Sequence, residues 1–106
     1  MKKMHETDIE VKVIPGKFGS VNAYDAITES ITAGVRIIKK NSDVPTRVHS
    51  HPERQLLYLI EGKASITNNV QILDLEPGDF VLLNANEEHY VLTNDEEAKV
   101  FEIKYP

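Results

Sequence analysis

No cysteine occurs among the 106 residues, so disulfides and thiolate metal sites are excluded. Any bound metal must therefore be held by nitrogen and oxygen donors. Clustered basic charge is also lacking. Twelve Lys and Arg stand against seventeen Asp and Glu, a formal charge of −5, and the only adjacent basic pairs are Lys2-Lys3 and Lys39-Lys40. A surface that tracks phosphates needs grouped cations, which argues against a nucleic-acid partner. Long apolar runs are missing too. Met1-Lys2-Lys3-Met4-His5-Glu6 leads into no hydrophobic signal region, and no stretch approaches the roughly 18 apolar residues of a membrane span. With neither a membrane nor an export signal, cytoplasmic residence is the expectation.

What is present reads as one globular domain spanning residues 1–106, with 41% hydrophobic and 27% charged residues arguing against disorder. Residues 9–14 alternate, with Ile9, Val11 and Val13 set against Glu10 and Lys12, and stop at Pro15-Gly16. Residues 19–30 admit a helical turn around Ala26. β-Branched residues favour a strand over 31–39, ended by Asn41-Ser42-Asp43. Further strands are predicted at 46–51, 55–60, 64–67, 70–75, 80–83, 89–93 and 99–105. Asn68-Asn69 and Glu76-Pro77-Gly78-Asp79 read as turns between them. About ten short strands with no long helical pattern predict an all-β sandwich or barrel.

Three of the four histidines form a pattern. His49 and His51 are two apart, so on a strand both would face one way. His89 opens a later strand that a barrel could bring opposite, and Gln55 follows His51 beyond a bend at Pro52. Together they offer three imidazole nitrogens and an amide oxygen, with positions left open; Zn, Mn, Fe, Ni and Cu all suit such donors. The plainer reading is of surface histidines without a common purpose, as His5 is in its charged N-terminal stretch.

Residues 43–62, with His49-Ser50-His51, Gln55 and Gly62, and residues 78–94, with Gly78 and His89, resemble the two motifs of the cupin family. They fall in the family's order, with the fifteen-residue separation of Gly62 and Gly78 found in small members. Asp43 stands in place of the first glycine, Asn84-Ala85-Asn86 in place of Pro-x-Gly, Thr93 where Asn is expected, and Gln55 where Glu is usual. The resemblance implies a small jelly-roll barrel (a double-stranded β-helix) holding one divalent metal ion through His49, His51, His89 and, more weakly, Gln55. It also makes a homodimer the expected assembly. Leu56, Tyr58 and Ile60 alternate with inward-facing Gln55, Leu57 and Leu59, so they need cover from the N-terminal strand or a second chain.

Glu102 lies four residues before Pro106, as an acidic residue does in small cupins that act on unsaturated uronates. The arginine those proteins place beyond that proline has no counterpart here. Glu102 is the candidate catalytic acid or base, with Tyr58 and Tyr90 as others. Arg36, among Val35, Ile37 and Ile38, either faces solvent or reaches a bound anion from the barrel wall. Such a site suits a metal-dependent enzyme acting on a small anionic, oxygen-rich metabolite, such as a sugar acid or keto acid, by isomerase, lyase-like or dioxygenase chemistry. The alternative is a non-catalytic small-molecule-binding or accessory module.

Overall fold

Alternating side chains punctuated by turn residues fold into ten strands in the computed structural model, which describes residues 1–106. They are β1 (Lys12–Pro15), β2 (Ser20–Thr28), β3 (Thr32–Ile38), β4 (Asp43–Val44), β5 (Arg54–Glu61), β6 (Ala64–Thr67), β7 (Ile72–Leu75), β8 (Phe80–Leu83), β9 (Tyr90–Leu92) and β10 (Ala98–Tyr105). All pairings are antiparallel. A six-stranded sheet runs β1-β2-β3-β10-β5-β8, and a four-stranded sheet runs β4-β9-β6-β7. The two form a jelly-roll barrel, with Val21, Ile38, Leu57, Leu59, Val81 and Val100 from the first sheet meeting Val44, Ile66 and Leu75 from the second. No helix is long and apolar enough to cross a membrane.

β5 faces as its sequence predicts: Gln55, Leu57 and Leu59 are buried, while Leu56 and Tyr58 are half-buried and Ile60 is exposed. The turn at 76–79 is also as read, with Gly78 at φ 99°, a left-handed value that glycine adopts without strain. Four expectations are corrected. Residues 9–14 do not bury Val11 and Val13, which are exposed; the strand is β1, and Ile14 is the side chain that packs on the core. Its partner, β2, is a nine-residue strand through Ala26, with no helical turn; β1 pairs along residues 20–23 and β3 along residues 21–28, with Ala26 taken up as a bulge. Residues 46–51 form no strand and instead make an irregular connection between β4 and β5. Finally, Arg36 does not face solvent. On β3 it is Gly34, Arg36 and Ile38 that point inward, while Val35 and Ile37 lie on the outer face. The N-terminal segment around Met4 and Ile9 borders that outer face beside Val35 and Phe101.

Candidate metal centre

His49 and His51 lie on the irregular connection and His89 just before β9, so backbone bonds rather than strand pairing bring them together. The His89 N–H donates to the His49 carbonyl at 3.3 Å, and the Asn86 N–H donates to the His51 carbonyl at 2.7 Å. Asn86 sits at φ 62°, where the related motif has glycine, and asparagine is one of the few other residues that enter this region readily. The substituted turn thus keeps the backbone shape that the histidines need. Thr93, where the motif has Asn, is buried; it accepts the Ser42 N–H and donates to the Lys39 carbonyl, tying β9 to the segment leading into β4.

The three imidazoles converge, with ring centroids 4.8–5.4 Å apart and one potential ligand nitrogen of each within 4.8 Å of the others. This cluster could hold a metal ion. Two rings are already oriented for it. His51 Nδ1 lies 3.0 Å from the Glu53 carbonyl and His89 Nδ1 lies 2.8 Å from the Glu87 carbonyl. A proton shared with each carbonyl leaves Nε2 with a free lone pair, the usual outer-shell arrangement of ligating histidines. Burial, with help from His89, His51 and Lys104, pushes His49 from its ordinary 6.5 down to about 4. Burial also lowers His89, although the Glu87 carbonyl opposes the shift. Both are therefore neutral at pH 7, as ligands must be.

Gln55 is 2% exposed and reaches the same place from β5. Its Oε1 lies 2.8 Å from His51 Nε2, and its Nε2 donates to Glu102. Behind it runs a buried polar chain that the sequence did not disclose: Glu102 pairs with Arg36 at 2.9 Å, and Arg36 pairs with Asp25 at 2.6 Å. Arg36 and Glu102 are 6% and 8% exposed, and pairing satisfies charges that would otherwise be costly to bury. Asp25 was missed because nothing in residues 19–30 distinguished its inward face.

A cavity of about 80 Å³ adjoins the site, lined by His49, Gln55, His89, Arg36, Glu102 and Lys104 on its polar side and by aliphatic side chains elsewhere. Of the three candidate acid–base residues only Glu102 lines it. Tyr58 lies on the outer face against Phe80, ring centroids 4.5 Å apart. Tyr90 points away beneath the Arg47 guanidinium, 3.5 Å above its ring, and donates to Glu88. Burial and Glu88 raise the Tyr90 phenol above its ordinary value. Lys104 went unremarked in the sequence; its signal was its shared parity with Glu102 on the last strand.

Residues 35–104 match the family described as Cupin domain. No curated protein matches the chain. Among solved structures, the chain is similar to the polyketide cyclase RemF from Streptomyces resistomycificus, at 17% identity and TM-score 0.77, covering 98% of this chain and 78% of that one. A cupin-like protein from Thermotoga maritima is 23% identical at TM-score 0.75, covering 83% and 70%. The DMSP lyase DddQ from Ruegeria pomeroyi is 21% identical at TM-score 0.73, covering 81% of this chain but 47% of that one. At these identities the likeness is one of fold.

Proposed function

The chain belongs to the cupin-domain family, and on that premise we propose that it is a metal-dependent enzyme acting on a small oxygen-rich anion, with one divalent ion held by His49, His51, His89 and Gln55. The contact between His51 and Gln55 carries this reading. With Nδ1 committed to the Glu53 carbonyl, His51 Nε2 presents a lone pair to the Gln55 oxygen, so two acceptors face each other at 2.8 Å. A cation bound to both relieves that opposition. Glu102 decides the amide's orientation, because the reversed amide would turn its oxygen onto a carboxylate. Zn, Mn, Fe, Ni and Cu all fit the donor set, and a bound divalent ion supplies Lewis acidity towards a carbonyl or carboxylate oxygen.

Within the cavity Glu102 is the side chain placed to take a proton from a carbon next to a carbonyl, which favours isomerase or lyase-like chemistry. Enzymes of the cyclase and lyase types among the structures of similar fold are compatible with this. One observation favours the alternative of a binding module: both Glu102 oxygens are already engaged, by Arg36 and by Gln55. One experiment addresses both. Elemental analysis should find one equivalent of metal, lost when the three histidines are replaced by alanine. The loaded protein in D₂O should then exchange the C3 protons of a 2-oxo acid, slowed on the order of 10²-fold or more by Glu102→Gln. Binding without exchange would establish the module instead; metal retained by the triple variant would refute the centre.

We also propose a homodimer formed through the outer face of β5 and β8. Phe80 and Leu82 on edge strand β8 are 65% and 71% exposed and lie beside Tyr58 and Leu56. A second copy can cover this apolar patch, and the free edge of β8, by a two-fold contact.

A further inference from the structure

Of the cations that line the cavity, Arg36 is committed to Asp25 and Glu102, whereas Lys104 has no partner. The lysines that do form ion pairs are Lys39 with Glu97 and Lys99 with Glu6, both elsewhere. Lys104 is half-buried on β10, directly across from Gln55 on β5, and therefore on the same inward face. An ammonium beside a cation site built from four uncharged donors is repelled unless a negative group lies between them. The one carboxylate on this wall, Glu102, is already engaged by Arg36 and Gln55. Seven of the fourteen lining residues are hydrophobic, including Ile14, Val21, Val44, Leu57 and Val91, so ligand hydroxyls there would lose water without gaining a partner.

We propose that Lys104 anchors the carboxylate of a short-chain aliphatic oxo acid, whose alkyl tail lies against Ile14, Val21, Val44 and Leu57. This inference rests on the metal centre proposed above and narrows its substrate class, removing sugar acids. The carboxylate answers the charge of Lys104, the oxo group is the oxygen presented at the histidines, and the tail displaces water from the aliphatic wall.

The test begins with the metal content of zinc-loaded wild type and Lys104→Met, followed by calorimetric titration with pyruvate, 2-oxopentanoate, pentane-2,3-dione and gluconate. Lys104→Met should load zinc at least as well, since a like charge is gone. Wild type should bind 2-oxopentanoate about fifteenfold tighter than pyruvate, from about fourfold for each of two buried methylenes. Gluconate should bind weakest. In Lys104→Met the oxo acid should weaken on the order of tenfold, as loss of a charge-assisted hydrogen bond implies, while the dione is unchanged. Lys104→Gln serves in the same role if the methionine protein does not fold. Equal weakening of acid and dione, no effect on the acid, or gluconate matching 2-oxopentanoate overturns the inference and leaves the metal centre standing. A wild type that takes up no metal overturns the centre, and this inference falls with it.

Discussion

Gln55 is the residue on which the chemistry of the site turns. As a neutral donor in the proposed centre it would leave a divalent ion its full charge, which would favour anionic oxygen ligands in a poorly solvated cavity. The usual glutamate would cancel one unit of that charge, yet the structure forbids a simple exchange. Gln55→Glu would set two carboxylates against each other at Glu102 and remove the amide donor between them. We expect the single variant to lose on the order of 2 kcal/mol at pH 7, through an unsatisfied or repelled buried carboxylate. The swap Gln55→Glu with Glu102→Gln should recover most of that loss, bind metal more tightly than wild type and bind 2-oxo acids more weakly. Urea unfolding and calorimetry on the full double-mutant cycle read out both effects. A swap no more stable than the single variant would mean that the two side chains do not act as a pair. His49 supports a second prediction. Its depressed value means that the unfolded chain binds a proton before the folded one does, so stability of the chelator-treated protein is complete above pH 6.5 and is lost as pH falls towards 4. Thermal melts across that window should show the decline, and His49→Gln should make it shallower, leaving the part that His89 contributes. An equally steep decline in the variant would place the sensitive group elsewhere.

At the scale of elements, the site depends on two irregular segments held against each other. The connection from β4 to β5 and the loop from β8 to β9 meet through the His49 and His51 carbonyls, and Asn86 supplies one of the two donors from a left-handed conformation. A β-branched residue at that position is strained, so Asn86→Val should cost about 1–2 kcal/mol. It should also weaken metal binding, because the loop carries His89. Asn86→Gly should retain both stability and affinity to within a few tenths of a kcal/mol, restoring the residue that the related motif places there. Denaturant midpoints and a metal titration distinguish the two outcomes. If valine proved harmless, the loop would be adjusting freely and the two backbone bonds would not be what positions the triad.

For the molecule as a whole, the six-stranded sheet leaves an unbalanced surface. At one end its outer face is bordered by the N-terminal segment near Val35 and Phe101; at the other, Phe80 and Leu82 lie open on an edge strand. Exposed apolar edges invite pairing with another chain. Light scattering at micromolar concentrations should give the mass of two chains for wild type and of one for Phe80→Glu with Leu82→Lys. The substituted protein should keep its metal content, since neither side chain lines the cavity. A wild-type protein that remains monomeric at high micromolar concentration would leave the patch without this role.

Period-two alternation and turn chemistry made the strands of β3, β5, β8 and β10 legible from sequence, since each is decided by its own neighbours. The histidine pattern was legible for a similar reason: residue type and spacing suffice to nominate ligands. What the sequence could not determine was direction in the N-terminal stretch and on β3. Val11 and Val13 point to solvent and Arg36 points inward, against the local hydrophobic pattern, because strand pairing sets the parity of each strand and Asp25 and Glu102 wait on neighbouring strands to neutralise the arginine. His49 and His51 converge without the strand that their spacing suggested, through backbone bonds to a loop some forty residues away in the chain. Likewise Lys104 acquires meaning only from facing Gln55 across β10 and β5. Local sequence carries propensity and inventory, while the pairing of distant strands decides which charges share a cavity and which are left without partners.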